Sequence, residues 1–223
     1  VLSRLNLGGH AEPIVANLDR LVAVLAPAPA ADLVLCDRYL AAAEWAGIEA
    51  AVVLNKRDLP GATDPGLRRA LEVYASLGYD VVTTSKREAG GVDALARLLE
   101  RGTSVLVGQS GVGKSSLTNL LVPGTDSAVS TLSTGTGEGR HTTTASILYR
   151  LPGGGELIDS PGVRDFSPPL PAPRDVASGF REITAAGRGC RFPDCHHRGE
   201  PGCAVEASAG AGDIDARRLA SYR

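Results

Sequence analysis

Gly108-Gln109-Ser110-Gly111-Val112-Gly113-Lys114-Ser115 is the stretch on which the fold turns. It fits G-x-x-x-x-G-K-[ST], and its flanks have the pattern that motif requires. The apolar run 104–108 leads into it as a predicted strand, and 114–121 leaves it as a predicted helix. Glycines let the backbone wrap so that successive N–H groups and a helix N-terminus converge on phosphate oxygens. Lys114 is then placed to reach β- and γ-phosphates, Ser115 offers a hydroxyl to Mg2+, and Ser116 follows in the same turn. The bland alternative is a Gly-rich turn with no ligand, which the strand-loop-helix context disfavours.

Outward from this loop, apolar runs bounded by turn residues alternate with helical patterns. Strands are predicted over 20–26, 48–55 and 80–84, and helices over 32–46, 65–77 and 92–101. That alternation is the mark of an α/β fold with a parallel sheet. Further on, 144–150 and 156–159 flank Pro152-Gly153-Gly154-Gly155 and read as a hairpin. The Ser-, Thr- and Gly-rich segment 123–143 has no apolar period and is expected to be a mobile loop.

Composition bounds what else the chain can be. Its 223 residues suffice for one full-sized domain and an accessory one. With only 4% aromatics, the core must come from Ala, Val, Leu and Ile. A net charge of −2 makes no basic field, so a nucleic-acid partner would be met by a local patch. No apolar run approaches the roughly 20 residues of a membrane helix, so no membrane contact and a cytoplasmic location are expected. The chain has no Met, from which a trimmed N-terminus is expected. It has twenty Arg but only three Lys, and Lys56, Lys86 and Lys114 all fall within candidate nucleotide motifs. A slim ammonium on a flexible stem does there what a planar guanidinium cannot.

Asn55-Lys56-Arg57-Asp58 follows a hydrophobic strand and has the form of a guanine reader. Asp58 would accept from the N1–H and N2–H2 groups of guanine, a donor pair that adenine lacks. Asn55 would tie the loop to the base and to the phosphate loop, the Lys56 stem would pack over the ring, and Arg57 reads as a spacer. Ser85-Lys86, at the end of the next strand, fits the companion element that meets the guanine carbonyl. Asp159-Ser160-Pro161-Gly162 ends a later strand, where Asp159 would hold Mg2+ through water and the Gly162 N–H would sense the γ-phosphate. In Gly139-Arg140-His141-Thr142-Thr143-Thr144, Thr143 is the candidate Mg2+ ligand in the GTP state. Val163 stands where many small GTPases have a water-orienting Gln, so His141 is the nearest substitute. Each of these, taken alone, also reads as a solvated strand end or a common turn. Their order makes them a set: guanine reader, companion, phosphate loop, first switch, second switch. It is the usual series rotated, as in a circularly permuted P-loop GTPase domain, which neighbouring termini make physically tolerable.

Three of four cysteines crowd near the C-terminus, in Cys190-Arg191-Phe192-Pro193-Asp194-Cys195-His196-His197 and then Cys203, while Cys36 lies in a helical pattern. Soft and borderline ligands within fourteen residues suit closed tetrahedral Zn2+ better than disulfides, with free thiols the alternative and His196 the rival of His197. A full set of four protein ligands makes such a zinc structural. The Pro-rich run 168–173 reads as a linker to this piece, through which nucleotide state could move it. The expected organisation is a stub or linker over 1–15, a permuted GTPase domain over 16–168, and a small helical zinc-binding domain over 169–223.

Together, Ala16-Asn17-Leu18-Asp19, NKRD, GQSGVGKSS, GRHTTT, DSPGVRDF and CRFPDCHHRGEPGCAV make the chain resemble the ribosome small subunit-dependent GTPase A (RsgA) family over nearly its whole length. The resemblance implies GTP hydrolysis to GDP stimulated by the small ribosomal subunit, a part in that subunit's late maturation, and contact with its rRNA; a monomer is expected. It implies zinc ligation by Cys190, Cys195, His197 and Cys203, while Lys114 and His141 are the catalytic candidates from their residue types and positions alone. Family members carry an N-terminal OB-fold that grips RNA, and only a short stub precedes the permuted domain here. Residues 174–223 hold eight Arg against seven acids, so the zinc piece is not plainly an RNA binder. Two competing readings remain: a nucleotide-gated zinc and RNA-binding module with little hydrolysis, and a GTP-dependent metal chaperone, which the closed ligand set disfavours.

Overall fold

The computed structural model of the protein describes residues 2–5, 11–15, 17–122, 147–159 and 173–223. The candidates His141, Thr143 and Gly162, together with Val163 and the Pro-rich run up to residue 172, lie outside the described residues. At the centre is Arg20–Leu25 (β3), whose alternate residues serve two cores. Leu21, Ala23 and Leu25 face one apolar cluster, and Val22 and Val24 face another. A strand buried on both faces reads as a continuous apolar run, which is what parallel sheets require.

Glu49–Leu54 (β4), Asp80–Thr83 (β5), Thr103–Val107 (β6), Ile147–Arg150 (β7) and Glu156–Asp159 (β8) complete a six-stranded sheet in the order β5-β4-β3-β6-β8-β7. All neighbours run parallel except β7, which returns antiparallel on β8 through the predicted hairpin. Leu33–Ala46 (α1) and Pro65–Ser76 (α2) cover the first face, while Asp93–Leu98 (α3) and Lys114–Leu121 (α4) cover the second. Strand order reverses beside β3, because the chain leaves it for β4 on one side and β6 lies on the other. In open α/β sheets ligands gather at the carboxyl ends of strands near such a reversal.

Two local differences from the predicted elements have physical causes. Helix α3 stops at Leu98 rather than continuing to 101, since Gly102 turns at φ 71° and the Thr103 N–H donates to Asp19 Oδ2 at 2.7 Å to start β6. Leu2–Leu5 (β1) and Ala11–Val15 (β2) pair antiparallel as a separate two-stranded sheet, in a segment that reads as a stub. Strands of four and five residues, the second interrupted by Pro13, give too short a pattern to recognise.

The C-terminal piece is helical: Arg181–Gly187 (α5), Ala204–Ala211 (α6) and Ala216–Tyr222 (α7). It packs onto α1. Ala41 and Trp45 share an apolar cluster with Phe180, Ile183, Val205, Ile214 and Leu219. Beside that cluster the fully buried Arg218 donates to Asp37 Oδ1 at 3.0 Å and to Glu182 at 2.7 and 3.1 Å. Arg217 reaches the other Asp37 oxygen, and the Tyr74 hydroxyl donates to Asp37 Oδ1 at 2.7 Å. Burial, together with the neighbouring Asp37, pushes the Cys36 thiol up to about 12, so it is an inert thiol within the core.

Candidate nucleotide and metal sites

Because β3, β4, β5, β6 and β8 are parallel, the loops after them open at one edge of the sheet. Three of these loops meet at Asn55. Its side chain is buried, donates from Nδ2 to the Val112 carbonyl at 2.9 Å, and accepts at Oδ1 from the Thr84 hydroxyl at 3.0 Å. Its backbone N–H donates to Leu25 O at 2.8 Å. The strand end expected to tie reader to phosphate loop thus does so through one amide side chain. Lys56 adopts φ 58°, which turns its stem back across the phosphate loop, and Nζ donates to Ala28 O at 2.6 Å and Gly111 O at 2.7 Å.

The phosphate loop itself follows β6 and runs into α4, as its spacing requires. Gly113 has φ 103°, and a Cβ there would collide with Asn55 Nδ2; at Gly108, with φ 144°, it would collide with Val24 O. Lys114 Nζ lies back on the loop, donating to Gly108 O at 2.5 Å and Gln109 O at 3.0 Å. Ser115 is exposed in the first turn of α4, and Asp159 closes β8, the strand next to β6. Gly113→Ala is expected to displace Asn55 and weaken GDP binding by about 10–100-fold, the loss of one or two hydrogen bonds to a buried amide plus backbone strain. Calorimetric titration with GDP measures this, and affinity within twofold of the wild type would show that Asn55 does not link the loops.

Asp58 faces a cavity of about 260 Å3 between reader and phosphate loop. Its Oδ1 accepts from the buried Ser85 hydroxyl at 2.6 Å, and Arg87 stands 3.6 Å from Oδ2. The Ser85 hydrogen bond, with help from Arg87 and Lys86, holds the carboxyl below its ordinary range, so it stays an ionised acceptor. Lys56, Lys86 and Ser116 add polar lining, while Leu59, Leu117 and Leu120 supply an apolar wall for a flat ring. Arg87 and these leucines are missed by motif reading. The leucines of α4 could have been found from their i, i+3 spacing on the helix that leaves the loop.

At the other end of the chain, Cys190, Cys195, His197 and Cys203 bring four donor atoms within 4.8 Å of one another. Cys190 Sγ and Cys203 Sγ each lie 3.5 Å from His197 Nδ1 and 4.0 Å apart. A tetrahedral zinc with ordinary bond lengths needs S···N near ~3.5 Å and S···S near ~3.8 Å, so the donor set fits that ion. His197 is buried and His196 exposed. Burial pushes the His197 imidazole down, which favours the neutral ring a metal needs. Glu200, another residue motif reading missed, accepts from the backbone N–H groups of His196 at 2.9 Å and Arg198 at 2.6 Å, pinning the loop that presents His197. Those N–H groups bring the Glu200 carboxyl down to about 2. Tyr222 and Arg223 cap the same loop by donating to the carbonyls of His196 and His197.

This architecture has close parallels. YloQ, described as a circularly permuted GTPase, superposes with a TM-score of 0.75 at 25% identity, over 96% of this chain and 71% of that one. YjeQ from Thermotoga maritima gives 0.76 at 28% identity, over 99% and 79%. Two curated proteins named small ribosomal subunit biogenesis GTPase RsgA, from Azotobacter vinelandii and Chromohalobacter salexigens, are each 48% identical over all 223 residues. The chain spans about two thirds of their length, 65% and 66%. A family model described as RsgA GTPase matches residues 1–168, from the β1–β2 sheet through the phosphate loop and Asp159. With permuted motif order, sheet topology and full-chain identity in agreement, this chain belongs to the RsgA GTPase family.

Proposed function

We propose that the chain binds GTP and hydrolyses it to GDP and phosphate as part of a factor for late maturation of the small ribosomal subunit, which would stimulate the reaction. The observation that carries the guanine half of this reading is the ionised Asp58 carboxylate, aligned by Ser85 at the floor of a cavity that also reaches Gly113. Base and phosphate sites are then one ligand apart. The ribosomal half is supported by the names of the curated relatives.

In the proposed mechanism the N–H groups of 109–115 cradle the phosphates and the N-terminus of α4 adds its dipole. Lys114, whose ammonium now rests on two loop carbonyls, would exchange them for β- and γ-oxygens and offset charge that builds there in the transition state. Mg2+, held by Ser115 and Thr143 with Asp159 behind it through water, would supply electrostatic neutralisation of the phosphates. His141 is assigned to the attacking water. One Zn2+ on Cys190, Cys195, His197 and Cys203 would be structural, since four protein ligands leave no open position. The factor would act as a monomer in the cytoplasm and touch rRNA. Among the described residues, no helix is long and apolar enough to cross a membrane.

Asp58→Asn tests the base assignment. An amide presents a donor where guanine also donates, so GDP affinity should fall by about 10–100-fold, the worth of hydrogen bonds to a charged group. Xanthosine diphosphate, with a carbonyl at that position, should bind better than GDP. Unchanged preference would mean that Asp58 reads no base. Phosphate release from GTP and ATP, with and without small subunits, tests the rest: equal ATP turnover would sink the guanine reading, and absence of stimulation would sink the ribosomal one.

A further inference from the structure

Arg57 occupies the variable position of the Asn-Lys-x-Asp reader and, from the sequence, looks like a spacer. In the structure it is the most heavily bonded residue of the link between the two base-reading loops. Its backbone N–H donates to Thr84 O at 3.1 Å. Its guanidinium donates from Nε to Glu88 Oε2 at 2.8 Å, from a second nitrogen to the same oxygen, and from NH1 to Thr83 Oγ1 at 3.2 Å. Every partner lies on the segment that delivers Ser85.

That segment needs an external hold. It hangs from β5, a four-residue strand at the edge of the sheet, paired on one side only. The loop closes on itself through Ser85 N–H to Gly91 O and Gly91 N–H to Glu88 O, both 3.0 Å, and Gly91 has no room for a Cβ against Ser85 O. Glu88 therefore moves with Ser85 as one tight turn. Pulling Glu88 toward Arg57 sets the distance from the Ser85 hydroxyl to the Asp58 carboxylate, which is the next residue along the reader. We propose that the Arg57–Glu88 pair is a specificity clamp: it positions Asp58 through Ser85 so that both carboxylate oxygens meet the two donors of guanine. Arg57 is thus a positioning residue and touches no base. This inference rests on the guanine reading above.

Alignment has a readout that mere folding does not. Guanine gives Asp58 two donors, N1–H and N2–H2, whereas hypoxanthine gives only N1–H. The ratio of GDP to IDP affinity therefore reports the second, geometry-dependent hydrogen bond. Both side chains of the pair are about 40% exposed, at 39% and 40%, so the coupling is that of a surface ion pair, worth at most about fivefold. Titrations of GDP and IDP into the full chain, and into Arg57→Gln, Glu88→Gln and the double variant, test the clamp. Each single variant should lower the GDP/IDP ratio by about 3–5-fold, and the double variant should lower it no further than either single. Equal weakening of both nucleotides, an unchanged ratio, or additive losses in the double variant would overturn the clamp while leaving the guanine site standing. A wild-type ratio near one would overturn the guanine site itself.

Discussion

Arg218→Ala should lower the unfolding free energy by about 3–5 kcal/mol, the cost of stranding buried carboxylates without their partner. Arg218 is fully buried, and so is Asp37; the Glu182 side chain is nearly so. Removing the guanidinium leaves Asp37 with Tyr74 and the partly exposed Arg217, and leaves Glu182 without the two bonds it shares with Arg218. The Asp37–Arg218–Glu182 triad itself adds little net stability, because desolvating three charges offsets their attraction. Replacing all three together, Asp37→Leu, Glu182→Leu and Arg218→Met, should therefore be far less damaging than the single change. Urea unfolding provides the measurement, and the protein carries its own probe: Trp45, the single tryptophan, packs against Gly179 and the cluster of Phe180 and Ile183. A single variant within 1 kcal/mol of the wild type would show that the C-terminal helices are not held by this network.

Metal removal should have the other large effect. Apparent zinc-binding free energies of isolated finger peptides are about 10–16 kcal/mol, more than the whole stability of many domains. Cys203 is both a candidate ligand and the residue that starts α6, and its neighbours Val205 and Ile214 belong to the apolar cluster against α1. Cys203→Ser, or a chelator, should unfold the loop 190–203, loosen α6 and shift Trp45 emission to longer wavelength. GDP affinity should change by less than about threefold, since the base cavity is lined only by residues between 55 and 120. The protein should hold one zinc per chain before treatment. Retention of native helicity and Trp45 emission after stoichiometric metal loss would remove the structural role.

Much of the candidate nucleotide site was legible because its chemistry is local. A phosphate loop needs glycines and one Lys at fixed spacing, and Asn55, Asp58 and Ser85 each sit at the carboxyl end of a strand that an apolar run announces. The Cys and His cluster was legible for the same reason, since metal coordination would restrict residue type. His197 was separable from His196 only by resemblance, and the structure distinguishes them by burial. The Pro-rich run read as a tether to a movable piece; the helices beyond it are docked on α1 by a buried charge network.

Short-range devices are therefore legible in the chain alone: strand and helix alternation, rotated motif order, and the clustering of candidate ligand types. The pairing of residues far apart in the chain emerges only on folding. Asp37 meets Arg218, Arg57 holds Glu88, and Leu117 and Leu120 wall a cavity floored by Asp58. The physical reason is that a charged residue carries no local mark of its partner. Any of the twenty Arg could answer an acid, and only the packing of α1, α2, α5 and α7 into one dry contact selects which one does.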